Sequence, residues 1–138
     1  MAHSRRNSEL LETLSDYDRV VEVGIGRRTD VAAALADCGV DVIATDVHDR
    51  KSPANVRFVP DNVVDPNLDL YADADAIYAL NLPPELHRPT LDIAREADAD
   101  FLFTTLGGDQ PAVPVERRTV DAGTLYVARS MGRAGEQT

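Results

Sequence analysis

Over its first hundred residues the chain alternates short β-rich runs with stretches of helical spacing, and that order leaves few folds open. Arg19-Val20-Val21-Glu22-Val23 reads as a strand and stops at Gly24-Ile25-Gly26. A helix follows: Thr29 or Asp30 is its N-cap, Val31 to Leu35 carry its apolar face, and Gly39 stands where a left-handed cap ends it. Val40 to Thr45 is a second β-rich run closing on Asp46, Val56 to Val59 a third, Ala76 to Leu80 a fourth and Phe101 to Leu106 a fifth. Pro84 suits the first turn of a helix whose stripe of Leu86, Thr90, Leu91, Ile93 and Ala94 runs to about Ala97, with a bend expected at Pro89. A short helix over Glu9 to Leu14, capped by Asn7 or Ser8, comes before the first strand. The alternation predicts an α/β fold, a three-layer, Rossmann-like, mainly parallel sheet with helices on both faces.

The last third departs from this alternation. Val115 to Val120 and Leu125 to Arg129 are strands separated by Asp121-Ala122-Gly123, so the sheet is expected to end in a C-terminal antiparallel hairpin. Two connections, Asp61 to Asp75 and Gly107 to Pro114, are too short for long helices; within Asp65 to Ala74 one helical turn would face Leu68, Leu70 and Tyr71 inward. The chain has 138 residues, the size of one domain, with residues 1–8 and 131–138 expected to be disordered tails.

Charge narrows the function. Seventeen Asp and seven Glu stand against thirteen Arg and one lysine, Lys51, a formal net charge of -10 that argues against general nucleic-acid binding. The excess of Asp over Glu and the scarcity of lysine resemble the cytoplasmic composition of salt-loving archaea, where a Debye length of about 3 Å at 1 M salt lets dense like charges coexist. No apolar run is long enough for a membrane span, and the first eight residues hold no apolar signal core, so a soluble, cytoplasmic protein is expected. Cys38 is the sole cysteine and excludes an internal disulfide.

Candidate site residues gather where strands end. Glu22-Val23-Gly24-Ile25-Gly26 places two glycines between a strand and a helix, where bare backbone either approaches a ligand or simply turns tightly. Asp46 ends the neighbouring strand twenty residues after Gly26, the place from which a carboxylate accepts hydrogen bonds from ribose hydroxyls, or caps a loop. The third small residue of a dinucleotide fingerprint is missing, because Arg27, Arg28 and Thr29 follow the second glycine. Either arginine could meet a carboxylate or a phosphate, or answer nearby acids in solvent. Asp61 and Asn62 follow the third strand as a rim position or as a simple turn, and Asn81-Leu82-Pro83-Pro84-Glu85 leaves the fourth on the same side. Glu85 and His87 form an acid–base candidate pair, although a lone histidine beside a helix start is more often a surface residue. Gly107-Gly108-Asp109 either closes the pocket or is a flexible turn, Arg117-Arg118 is expected to face solvent, and no histidine makes metal-ligand spacing, so no metal is expected.

The order Glu22-Val23-Gly24-Ile25-Gly26-Arg27, Ala44-Thr45-Asp46, then Ile77-Tyr78 leading to Pro83-Pro84-Glu85-Leu86 resembles a small archaeal group, Uncharacterised Protein Family 0146, from about Leu10 to Ala128. The resemblance implies a reduced version of the class I methyltransferase fold, whose parallel sheet also finishes in an antiparallel hairpin, and a nucleoside pocket. The first hypothesis for that pocket is S-adenosylmethionine, with Gly24 and Gly26 against its methionine end, Asp46 on its ribose, Asp61 near its adenine, Glu22 and Asn81 as further cofactor-binding candidates, and a methyl acceptor entering over Asn81 to Glu85. Asn81 meets the Asn-Pro-Pro-aromatic motif of amino-methylating enzymes only in part, because Leu82 is inserted and Glu85 replaces the aromatic ring. No catalytic residue or acceptor follows from this. A non-catalytic nucleotide or dinucleotide module, and a ligand-free Rossmann-like subunit that docks a partner, remain open beside it.

Overall fold

The computed structural model describes residues 8–121 and 123–130, and within them seven strands make one mixed sheet in the order β3-β2-β1-β4-β5-β7-β6. The strands are β1 (Arg19–Val23), β2 (Asp41–Asp46), β3 (Val56–Pro60), β4 (Ala76–Ala79), β5 (Asp100–Phe103), β6 (Glu116–Val120) and β7 (Gly123–Ala128). The helices are α1 (Ser8–Leu14), α2 (Asp30–Asp37) and α3 (His87–Ala97). The first five strands pair parallel, β7 pairs antiparallel with β5, and β6 antiparallel with β7, which bears out the α/β reading and its terminal hairpin.

Alternation along buried strands divides the interior into two layers. Val20, Val42, Ala44, Tyr78 and Leu102 face one side and pack with Leu10 and Leu14 of α1 and Val31 and Leu35 of α2. Val21, Ile77, Phe101 and Phe103 face the other and pack with Leu91, Ile93 and Ala94 of α3. There Phe101 and Phe103 stack at 4.7 Å between ring centroids, and Tyr126 joins Phe103 at 5.3 Å. Gly39 ends α2 at φ 89°, as its position predicts.

Local differences have local causes. Between β3 and β4 lies a single 3-10 turn, Leu68–Leu70, which buries Tyr71 completely, half-buries Leu70 and turns Leu68 outward at 45% exposure. On a 3-10 turn Leu68 and Leu70 point about 120° apart, so these two cannot both face inward as the sequence suggested. Pro84 opens a separate 3-10 turn, Pro84–Leu86, and α3 begins only at His87. Pro89 is the third residue of α3, where a missing N–H costs no helical bond, and the helix runs on to Ala97. Ser8 is the first residue of α1 rather than part of a tail, whereas the tail readings for residues 1–7 and 131–138 lie outside the described residues. Among the described residues no helix is long and apolar enough to cross a membrane.

Candidate functional site

The strand order reverses at the middle of the sheet. From β1 the chain steps outward to β2 and β3, then returns to place β4 against the other side of β1. The connections after β1 and β4 therefore leave on opposite paths and open a crevice above the strand ends, the position at which open α/β sheets bind ligands. Gly24 follows β1 and Asn81 follows β4, so the topology sets both at this crevice.

The turn after β1 is held in a fixed shape. Gly24 and Gly26 lie at φ 69° and 58°, a left-handed region that strains other residues, while the Ile25 N–H donates to the Thr45 carbonyl at 3.0 Å. A Cβ at Gly24 would meet no atom within 4 Å, so the space over the turn is open. Asp46 points inward to this turn: its Oδ2 accepts the Gly26 N–H at 2.8 Å and its Oδ1 the His48 N–H at 2.9 Å, with Arg50 Nε 3.7 Å away. A carboxylate offers about four lone-pair sites, and the two backbone N–H groups take two of those of Asp46.

Gly24, Asp46, Asp61 and Asn81 line one cleft of about 150 Å³ together with Val47, Val63, Leu82 and Leu86. Its walls carry two carboxylates and no cation among the described residues. Asp61 gives its side chain to the loop beneath: Oδ1 accepts the Asn67 N–H at 2.9 Å and Oδ2 the Tyr71 hydroxyl at 2.6 Å. Burial and the Asp61 carboxylate push the Tyr71 phenol upward, so it remains a donor. Asn62 closes an Asx turn, its Oδ1 accepting the Val64 N–H at 2.9 Å. Asn81 adopts φ 56° and is fixed through its backbone, whose N–H donates to Thr104 Oγ1 at 2.8 Å, leaving its exposed side chain at the rim. On the other side of Leu80 and Asn81 lies a larger polar cleft of about 640 Å³, which also takes in Arg28, Thr104, Thr105, Gly107 and Thr124.

Glu22 is not brought to either cleft. Its carboxyl is 1% exposed within the sheet's α1/α2 side, where Oε1 accepts the Tyr78 hydroxyl at 2.7 Å. Burial raises the carboxyl to about 8, although the bond from Tyr78 works in the opposite direction. The partnership follows from register, since Glu22 and Tyr78 are opposite one another in the β1–β4 pair.

His87 is neither on the surface nor paired with Glu85. It is wholly buried against Phe103 at 4.4 Å between ring centroids, and its Nδ1 accepts the Ala112 N–H at 3.0 Å. The proton therefore resides on Nε2, which donates to the Leu82 carbonyl at 2.9 Å. One ring thus ties the Pro-Pro segment to the β5–β6 loop. Arg117 and Arg118 are exposed, as expected, with Arg117 lying 5.7 Å from the Tyr126 ring centroid. Among the described residues no three His, Cys, Asp or Glu side chains converge as a metal site.

Two features of the rim escaped the sequence reading. Val47, 63% exposed immediately after Asp46, is a large apolar side chain on the cleft wall, and its isolation in a polar loop was a visible signal. Thr104, the hydroxyl that fixes the Asn81 backbone, gave no signal, because its role depends on β5 lying beside β4.

The chain belongs to the Uncharacterised protein family (UPF0146), whose profile matches residues 7–131. A UPF0146 protein of Halobacterium salinarum is 55% identical over 117 residues, covering 84% of this chain and 91% of the relative. One of Archaeoglobus fulgidus is 48% identical over 91 residues, 66% of this chain and 70% of that protein. Among solved structures, a TehB-like SAM-dependent methyltransferase from Corynebacterium glutamicum superposes with a TM-score of 0.63 at 16% identity, covering 88% of this chain and 85% of that one. An RNA methyltransferase from Salinibacter ruber in complex with S-adenosyl-L-homocysteine gives 0.60 at 13% identity, with 86% of each chain covered. At such identities the likeness shows the fold: Rossmann-like and methyltransferase-like.

Proposed function

We propose that this chain binds S-adenosylmethionine at the crevice between β1 and β4 and presents it to an acceptor entering over Asn81 to Glu85. The observation that carries the reading is the charge of the smaller cleft, whose walls hold the carboxylates of Asp61 and of Asp46, the latter paired with Arg50 at 3.7 Å, and no lysine or arginine among the described wall residues. A di- or triphosphate would be repelled there, whereas a sulfonium cation is attracted. The described residues fit such a ligand. Open space over Gly24 admits a group against bare backbone. Asp46 keeps two lone-pair sites for ribose hydroxyls. Val47, Val63, Leu82 and Leu86 supply apolar contacts for a base, and Asp61 stands beside them. Methyltransferases among the structural neighbours have this sheet, and the Salinibacter ruber protein holds S-adenosyl-L-homocysteine.

When bound, the cofactor supplies an electrophilic methyl group on sulfur. The chain contributes position: the Gly24–Gly26 turn and Asp46 form one rigid unit through the 2.8 Å bond between them, and the Thr104 bond fixes Asn81 opposite. Methyl transfer to an aligned nucleophile needs little further acid–base equipment. The composition suits work in a salt-rich cytoplasm.

Calorimetry in molar KCl with S-adenosylmethionine, NAD and ATP tests the assignment. S-adenosylmethionine is expected to bind and the two phosphate ligands not to, with Asp46→Ala lowering its affinity at least about tenfold, or about 1.4 kcal/mol. A loss under about threefold removes the ribose assignment. Binding of NAD or ATP alone supports a nucleotide module, and no binding at all supports a docking subunit.

A further inference from the structure

The two sides of the sheet are covered unequally. Among the described residues α1 and α2 pack on one side and α3 on the other, because the β3–β4 connection, residues 61–75, forms a single 3-10 turn where parallel strands are commonly joined by an α-helix. This leaves a hollow of about 450 Å³ between α3 and residues 63–68. Val64 and Leu68 border it at 66% and 45% exposure, two of the four large apolar side chains that the described residues turn outward. On the α3 side the border is charged: Arg88, Asp92 and Glu96 follow one another at four-residue spacing and so share one face of the helix. Arg88 makes no ion pair among the described residues, although Asp92 is one turn away, and an arginine placed N-terminal to its acid is the weaker order for such a pair.

The chemistry of this border selects its occupant. A polyanion or an anionic lipid surface meets two carboxylates for one guanidinium, and a basic peptide is repelled by Arg88. A second copy of the chain brings the same apolar projections, the same hollow and both signs of charge. A two-fold interface requires those complementary features side by side on one patch, as they are here. We propose that two copies associate through this face about a two-fold axis, with Val64 and Leu68 of each seated in the hollow of the other and the α3 helices antiparallel, Arg88 of each against Asp92 of the other. A parallel crossing would set Arg88 on Arg88 and leave both acids opposed to their own kind. The net charge of -10 on each copy opposes association in dilute buffer, and a Debye length of about 3 Å at 1 M salt removes most of that opposition while leaving the apolar contacts in place. The association does not depend on what the smaller cleft binds.

Sedimentation equilibrium of the full chain in about 2 M KCl tests this. At about 100 µM, above the micromolar dissociation constants at the weak end of standard-sized interfaces, the wild type is expected at twice its 15.0 kDa. Leu68→Glu and Val64→Asp are each expected to weaken association at least about tenfold. Both side chains are exposed, so the fold survives these changes, and melting curves verify it. Arg88→Asp alone, or Asp92→Arg alone, puts two like-charge contacts into each dimer and is expected to weaken it at least about fivefold, whereas the two changes together restore opposite charges and recover most of that loss. A wild type that stays at the mass of one chain overturns the proposal and leaves the face to a different partner. A dimer that Leu68→Glu does not weaken lies elsewhere on the molecule and overturns it equally, as do single charge reversals without effect or a double exchange that restores nothing.

Discussion

Replacing Glu22 by Gln should make the protein more stable above neutral pH and should leave it little changed in acid. The carboxyl is 1% exposed, and its folded-state value of about 8 stands above the 4.5 of an unperturbed glutamate, so solvent screening does not reduce the effect. Raising the folded value of an acid has a definite sign. Between the two values the native chain keeps a proton that the unfolded chain has lost, and stability therefore falls with rising pH, by about 1.4 kcal/mol per unit. The contribution is fully present below 4.5 and is lost as pH passes 8. Summed from pH 5 to pH 8, the wild-type chain should lose about 3 kcal/mol from this group, on the order of 10 °C in melting temperature for a chain of this size. A glutamine Oε1 can still accept the Tyr78 hydroxyl and carries no proton to lose. Melting curves of both chains at pH 5, 6, 7 and 8, at one high KCl concentration, give the difference free of other titrations. The two should agree within about 1 kcal/mol at pH 5 and diverge steadily. Parallel curves across the whole range would show that Glu22 does not hold its proton in the native state, and the argument from burial would be wrong.

Three other outcomes follow from the geometry. Gly24→Ala, at φ 69° with open space around its Cβ, should cost about 1 kcal/mol in melting stability through backbone strain alone and should weaken S-adenosylhomocysteine in calorimetry by filling the cradle. His87→Phe keeps the contact with Phe103 but strands the Leu82 carbonyl and the Ala112 N–H, each at about 1 to 3 kcal/mol, and should lower the melting temperature and open the β5–β6 loop to protease; a loss below about 1 kcal/mol would contradict the two-bond staple. Raising KCl from about 0.1 M to about 2 M should raise the melting temperature, because screening weakens repulsion in a chain of net charge -10, and a flat salt response would remove that account.

The rim was legible to different depths at different residues. Gly24, Asp46, Asp61 and Asn81 could be read because each ends a strand or comes within two residues after one, and strand ends are marked by local punctuation: a glycine pair, an acid after an apolar run, a Pro-Asp-Asn turn and a Pro-Pro step. Glu22 shares the same motif yet faces the interior. Its position one residue before the end of β1 sends its side chain to the α1/α2 layer, and only the opposing Tyr78 makes that burial tolerable. His87 failed as a surface residue for a related reason: Leu82 and Ala112 are five and 25 residues away in sequence, and the bond to Ala112 exists only because the β5–β6 loop passes over the start of α3.

What the sequence determined alone was the order and kind of elements, since apolar spacing and glycine or proline breaks act over a few neighbours and survive without knowledge of the rest. It also determined the charge, a formal -10. The tertiary structure decided which ends meet. Placing β4 against β1 opens the crevice, sets Asn81 opposite Gly24, puts Leu80 and Asn81 on the walls of both clefts and buries Glu22 against Tyr78. Each of these depends on pairing between segments more than fifty residues apart, and no local preference encodes a register across that distance.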